Sequence, residues 1–450
     1  MSGSLNVLLA AFAGSGPPVG YLASITNPSG STTSLDYLQL ALRSDQMAIA
    51  ARTYSGVGVQ QLTTFGLGLD GSTITWQTSL ADGSSYQIPN SVAIDSAGNA
   101  VVAGYKYNTG TTDVNGYVTK FNTSGVVQWQ RQISGATIFT TVDLDSSNAV
   151  YCAGYSNLFT AASNDMYLAK FDSSGTIQYR RNVGSTSVTS EAAYGLAVLS
   201  ANYFGIAGIA QPTNYDALFF LGVPSTGASG GATTQKDAAG TGRQEGVAIT
   251  RGESDDIAYH AIRSYATAST ASLAIQVLYR WTLAGGVTWQ VQLGNAPTST
   301  NVYVVDVCMD PTGTYVYTCG TASYAAYSQI YIIKHVAATG SIAWQRGLRC
   351  TTAAVGAANI RTDSSGNVYV LGDGPGGALL LKMPGDGGGA GNSVVLGGRT
   401  YEYYATAYTA STGALLNSAF SPPNTVYGET ILTPTATSST ASLSVDEQPL

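Results

Sequence analysis

The chain has 450 residues, of which 53 are glycine, 44% are apolar and only 10% are charged, with a formal net charge of -7. So few Glu, Lys and Arg leave too little solvated surface for a helical protein, and the balance favours many short strands joined by tight turns. No cluster of Lys and Arg stands ready for phosphates, which disfavours a nucleic-acid partner, and no apolar run reaches the roughly 18 residues of a membrane-spanning helix.

Residues 1–35 read as an amino-terminal arm. An apolar piece over residues 5–13, carrying Leu8 and Phe12, is followed by a linker-like PSGSTTS. The leading MSGS holds no Lys or Arg, so this piece is not expected to act as a cleaved signal peptide.

From Asp36 the texture becomes periodic. The first unit reads DYLQLAL, MAIAARTY, VQQLTTFGL and TITWQTSL. The second is the clearest: VAIDSAGNAVVAGY and then GYVTKFNTSGVVQWQRQISG, four alternating apolar runs joined by three polar links. A third unit repeats it with DLDSSNAVYCAGYS and YLAKFDSSGTIQYRRNVG. The fourth is diverged, the fifth runs from GVAITRGESDDIAYHAIRSY to VTWQVQLG, and the sixth from VVDVCMDPTGTYVYTCGTAS to IAWQRGLR. The seventh, NIRTDSSGNVYVLGDG with ALLLKM, lacks a tryptophan strand of its own. Either 393–397 or 5–12 is expected to complete it.

Trp76, Trp129, Tyr179, Thr234, Trp289 and Trp344 fall at successive spacings of 53, 50, 55, 55 and 55 residues. Units of about 50 residues and four antiparallel strands fit propeller blades, which stack radially so that each buries its faces against two neighbours. The expectation is an all-β, seven-bladed β-propeller over 36–398. Asp95, Asp145, Asp310 and Asp363 open the first turn of their units, where a carboxylate bonds the backbone two residues on. Glycine supplies the positive φ of those turns, with Asn148 in its place in the third unit.

Residues 399–450 form a carboxy-terminal arm, first rich in tyrosine (Tyr401, Tyr403, Tyr404, Tyr408) and then in Ser, Thr and Pro. An isolated tyrosine segment exposes apolar area, and the polar end cannot bury itself. Leu8, Phe12 and the four tyrosines are therefore expected to be assembly contacts with a neighbouring chain. A chain cut to 36–398 is expected to stay folded.

The stretches KFNTSGVVQWQ, KFDSSGTIQYR, DSSNAVYCAGYS and DSSGNVYVLGDG are similar to the SBBP-type β-propeller repeat. The resemblance covers about four-fifths of the chain. It is good in units two, three, six and seven, partial in one and five, and poor in four. It implies a scaffold of the kind found in secreted or surface proteins of bacteria and in tail-associated structural proteins of marine phages. It brings no catalytic residues with it.

The residues themselves agree with a scaffold. Lys120, Lys170, Lys334 and Lys382, with Arg280 in place, recur once per unit, whereas an active centre needs a single constellation. The tryptophans are expected to pack between blades rather than stack on sugars. His260 and His335 are lone residues on strand patterns, and no metalloprotease, nucleophile-elbow or paired-cysteine motif occurs. Gly66 to Gly71 spells G-x-G-x-x-G, but between two strands it is a hairpin. One aspartate per blade is too few oxygens for calcium. Cys152, Cys308, Cys319 and Cys350 are expected reduced and buried, although Cys308 and Cys319 fall on one hairpin.

No catalytic, cofactor or metal site is therefore expected. The sequence points to a non-enzymatic structural component of a phage virion, tail-associated and held to other virion proteins by its arms. A host surface glycan or receptor is a further partner, and nucleic acid is not. The alternative is a secreted or surface-exposed bacterial propeller that binds glycan or protein.

Overall fold

The computed structural model describes residues 6–446 except 12–19, 27–34, 44–45, 56–58, 72, 82–84, 109–113, 134, 157–163, 184–189, 212–214, 228, 237–241, 266–273, 294–298, 376, 409, 413–415 and 420–443. Each blade is an antiparallel meander, and its strands are called A to D from the axis outward. Blade 2 is Ser85–Ile94, Ala100–Asn108, Val114–Phe121 and Val127–Ile133. Blade 3 is Thr137–Leu144, Val150–Ser156, Asp165–Phe171 and Ile177–Val183.

Seven such sheets form the ring, and the A strands pack on one another from Asp36–Arg43 in blade 1 round to Gly356–Thr362 in blade 7 and back. The chain is a seven-bladed β-propeller. Every A strand carries an irregularity in its pairing with the B strand, as between Phe139 and Thr141, Val304 and Asp306 or, at the start of the strand, Asp36 and Gln39. Such a bulge increases the local twist and re-aims one side chain.

Blade cores are apolar on both faces, because every B and C strand is sandwiched between neighbours. Val101, Val150, Ile206, Ile262, Ile332 and Leu380 are all fully buried. The antiparallel order puts all A–B and C–D turns on one face of the ring and all B–C and D–A connections on the other. The turns follow the residue chemistry: Gly98 and Gly366 adopt φ of 85° and 79°, and Asn148 adopts 64°.

Closure differs from the sequence expectation. Tyr21–Thr26, from the presumed arm, supplies the D strand of blade 7, antiparallel to Gly377–Met383, and Asn6–Ala11, which includes Leu8, adds a fifth strand outside it. Phe12 lies outside the described residues. The closing strand carries no tryptophan and precedes a linker, so spacing gave no sign of it. The segment 393–397 instead folds into a hairpin of Asn392–Leu396 with Arg399–Ala405. Its turn is Gly397-Gly398 at φ of 58° and 75°, the pair of positive angles that a two-residue hairpin requires.

That hairpin joins the outer edge of blade 6 along Ile342–Cys350. Tyr401, Tyr403 and Tyr408 are thereby buried within this chain, and Tyr404 is half-buried. The expectation that these rings need a neighbouring chain to cover them is corrected. Further on, Ala410–Thr412 and Leu416–Ala419 add to the outer edges of blades 5 and 4, and Ser444–Asp446 to that of blade 1.

The boundaries 36–398 therefore cut through the propeller, and a chain so truncated lacks the D strand of blade 7. In blade 4 the register also corrects the spacing. The pair preceding the C–D irregularity is Lys120–Trp129 in blade 2 and Lys334–Trp344 in blade 6, but Leu221–Gly231 in blade 4. Gly231, not Thr234, holds the tryptophan position. All four cysteines are free and buried.

Candidate functional site

The recurring residues gather on the face that carries the A–B and C–D turns, and there they join one blade to the next. The Trp129 indole, 9% exposed, donates from Nε1 to the Ser173 carbonyl of blade 3 at 3.2 Å, and Lys120 Nζ donates to the same oxygen at 3.3 Å. In blade 6, Trp344 Nε1 and Lys334 Nζ share the Gly385 carbonyl at 3.1 and 2.7 Å. Trp289 Nε1 reaches Ala337 O at 3.1 Å.

Each ring rests on the positive-φ glycine of the next blade's C–D turn. A Cβ on Gly125 would stand 2.6 Å from Trp76, one on Gly175 2.6 Å from Trp129, and one on Gly227 2.5 Å from Tyr179. The indole faces are thus covered by protein.

The turn aspartates complete the joint. Asp95 Oδ1 accepts the N–H groups of Ala97 and Asn99, both at 2.9 Å, while Oδ2 meets Lys120 Nζ at 2.8 Å. Burial works to raise this carboxyl, but hydrogen bonds from Lys120 and Asn99 and the lysine charge outweigh it and hold it below the usual range. Asp145 pairs with Lys170 at 3.7 Å, Asp363 accepts from Ser365, Asn367 and Tyr369, and Asp310 accepts from Thr312 and Tyr315. In blade 4 the equivalent pair is Leu199 and Leu221, both buried in one apolar cluster.

Both histidines are fully buried. His335 donates from Nδ1 to Gly340 O at 3.1 Å, and His260 shares a hydrogen bond with Tyr279. Burial lowers His260 to about 3 and His335 to about 4, so both stay neutral and packed.

The opposite mouth of the channel carries different chemistry, which follows no sequence motif. Tyr37 and Tyr194 stand at the A-strand irregularities of blade 1 and of blade 4 (Glu191–Val198), and Tyr105 and Tyr155 in the second half of the B strands of blades 2 and 3. Tyr105 lies within electrostatic reach of Tyr37 and of Tyr155, which in turn lies within reach of Tyr194. The arc then continues to Glu245 and Arg243 of blade 5 and to Tyr215.

Tyr37 is 44% exposed and Tyr194 37% exposed, the only large rings among the described residues so open to solvent. Tyr37 adopts φ of 52°, an uncommon conformation for a bulky residue that positions its ring over the Arg52 guanidinium, 4.3 Å from the ring centroid. Arg52 is itself fixed by Asp36, from Nε at 2.7 Å, and by Gln60 at 2.8 Å.

Across the mouth, Arg243 lies 3.7 Å over the Tyr215 ring and pairs with Glu245, whose other oxygen accepts from Tyr265 at 3.5 Å. The hydroxyl end of Tyr194 lies inside the mouth, where burial first and the Glu245 carboxylate second push it up to about 12. Burial likewise pushes Tyr105 up to about 12, with Tyr37 and Tyr155 adding to it. These hydroxyls remain protonated donors at neutral pH.

On the same face, Thr321, Ser328, Gly356 and Asp373 border a shallow 250 Å³ cleft between blades 6 and 7. The signal for the mouth in the sequence is the Gly-Tyr pair that recurs at one position of two successive B strands, Gly104-Tyr105 and Gly154-Tyr155, on a chain with 29 tyrosines.

Fold and mouth together define a seven-bladed β-propeller with a tight-turn face of repeated joints and a tyrosine-bearing face that differs from blade to blade. No family model matches the chain, and no curated protein matches it. Among solved structures it is similar to the β-propeller domain of the Trilobed protease from Pyrococcus furiosus, at 7% identity over 78% of this chain and 96% of that one, TM-score 0.41. It is also similar to Sqt1 of Chaetomium thermophilum bound to the N-terminus of ribosomal protein L10, at 8% identity over 79% and 98%, TM-score 0.46. A third is the WD40 domain of SCAP from fission yeast, at 9% identity over 84% and 98%, TM-score 0.40. These likenesses concern the fold alone.

Proposed function

We propose that this chain is a non-enzymatic structural and recognition component of a bacteriophage particle, tail-associated, whose tyrosine-lined mouth faces outward. The observation that carries the recognition half is the pair of exposed rings, Tyr37 and Tyr194, set around a mouth where Arg52 is paired with Asp36 and Arg243 with Glu245. Ligand sites commonly combine an apolar platform with a few fixed polar groups in a concave position, and this mouth has both.

The scaffold half is supported by the use of the repeated ionisable residues in joints between blades. Lys120, Lys170, Lys334 and Lys382 each donate to a carbonyl of the next blade. The particle assignment rests on the resemblance of the repeat to SBBP-type propellers. Attachment to other virion proteins falls to the terminal segments and to the outer wall they build, where Val395 is 67% exposed.

The second reading is a secreted or surface-exposed bacterial propeller binding glycan or protein through the same mouth. It shares the repeat resemblance. Mass spectrometry of purified particles separates the two. The chain is expected among the tail proteins at a fixed ratio to them; its recovery only from cell-surface or culture fractions would favour the second reading and remove the first.

A further inference from the structure

We infer that the mouth binds an uncharged oligosaccharide, with Tyr37 and Tyr194 as stacking platforms and the ion pairs Arg52–Asp36 and Arg243–Glu245 as hydroxyl clamps. The inference deepens the recognition reading above and rests on it.

The chemistry of the rim selects this class of ligand. A pyranose has an apolar C–H face that lies flat on an aromatic ring, and a girdle of hydroxyls that both donate and accept. Tyr37 and Tyr194 offer the rings, at 44% and 37% exposure. The Tyr37 ring is not free to collapse, because its backbone sits at φ 52° and Arg52 backs it at 4.3 Å. A platform held in this way loses little rotamer freedom when a ligand arrives.

The polar partners are equally fixed. Arg52 holds Asp36 and Gln60, and Arg243 holds Glu245 while lying against Tyr215. Each pair presents a donor beside an acceptor, which is what vicinal hydroxyls need. Each pair also cancels its own charge. An anionic ligand would meet Asp36 and Glu245, and a cationic one would meet Arg52 and Arg243, so a ligand without charge is the one that none of them repels. An extended apolar peptide fits less well, because the two platforms stand on blades 1 and 4 with tyrosine hydroxyls between them.

The test titrates the purified full chain with neutral hexasaccharides (maltohexaose, cellohexaose, mannohexaose and N-acetylchitohexaose), with sialyllactose and a sulfated oligosaccharide as charged counterparts. At least one neutral probe is expected to bind, with an affinity unchanged between low and high salt. Tyr37→Ala and Tyr194→Ala are each expected to weaken it about tenfold, as loss of an aromatic platform does, while Val395→Ser leaves it unchanged. Neither ring lies in a blade core, so both variants should stay folded, with only a small fall in melting temperature.

Binding of the charged probes alone, or neutral binding that survives both tyrosine substitutions, would overturn the inference. So would failure of every neutral probe. If no saccharide binds while Tyr37→Ala still abolishes attachment to whole cells, the saccharide class is wrong and the recognition reading stands. If neither changes, both fall.

Discussion

Tyr21 stands opposite Lys382 in the same register that sets Trp129 opposite Lys120, although 361 residues separate the first pair and nine the second. The Tyr21 hydroxyl and Lys382 Nζ both donate to Leu69 O of blade 1, at 3.2 and 3.3 Å, just as Trp129 and Lys120 share Ser173 O. A Cβ on Gly71 would lie 2.2 Å from the Tyr21 ring, so the glycine seat is present as well. The amino-terminal strand thus carries blade 7's copy of the joint and closes the ring between its first and last blades.

Tyr21→Ala removes a buried ring from that closure and is expected to cost about 3–5 kcal/mol, the usual range for loss of a buried aromatic. Tyr21→Phe keeps the ring, loses only the bond to Leu69 O, and should cost about 1 kcal/mol. Chemical denaturation of the full chain measures both. A chain starting at residue 36 should unfold at lower denaturant than either variant, because the edge of Gly377–Met383 is then unpaired.

The Asp95–Lys120 pair is buried at both ends, with side chains 2% and 5% exposed. Lys120→Met leaves the carboxylate uncompensated and is expected to destabilise by roughly 3 kcal/mol, the low end for breaking a buried pair. Blade 4 has already replaced the pair by Leu199 and Leu221. Leu221→Lys, without an aspartate opposite, should therefore destabilise rather than restore the repeat. Equilibrium unfolding decides both.

Gly175 holds φ 82° under the Trp129 ring. Gly175→Ala both strains that angle and drives a methyl into the indole, so a loss of at least about 1–3 kcal/mol is expected. At Gly366, with φ 79° and open space around it, the same change should carry the backbone penalty alone. The difference between the two melting temperatures isolates the packing of the joint.

Acid should weaken the fold in two windows. His260 and His335 have folded-state values lowered to about 3 and about 4, below an unfolded value of about 6.5. Their stabilisation is complete above pH 6.5 and is lost as pH falls toward those values, at about 1.4 kcal/mol per pH unit for each. Asp143 runs the other way: burial raises it to about 6, so it regains stability as it protonates and offsets part of the loss. Below about pH 4 the depressed carboxyls, Asp95 and Asp145 among them, protonate and add to the destabilisation. His335→Phe places the ring found at Phe121 and Phe171 and should flatten the first window in a pH series of melting temperatures.

The blade count and the turns were legible in the sequence because each is a local pattern. Asp95 to Asn99 encodes its own turn, and Gly98 its angle. Closure was not legible, since pairing of Tyr21–Thr26 with Gly377–Met383 depends on two edges left free at opposite ends of the chain. Constant spacing points to Thr234 for the tryptophan position of blade 4, but the loop there differs in length, and Gly231, which holds the position, carries no side chain to mark it. The tyrosine arc escaped for the opposite reason to the joints. Tyr37, Tyr105, Tyr155 and Tyr194 come from four blades and from two different strands of the repeat, and only the ring brings them to one mouth.

The most direct test of recognition through this mouth is adsorption of particles that carry the doubly substituted chain, Tyr37→Ala with Tyr194→Ala, to host cells. Assembly is expected to be normal, since neither ring is buried in a joint, and adsorption to fall by at least about tenfold. Particles that assemble and adsorb like the wild type would contradict a recognition role for the tyrosine mouth.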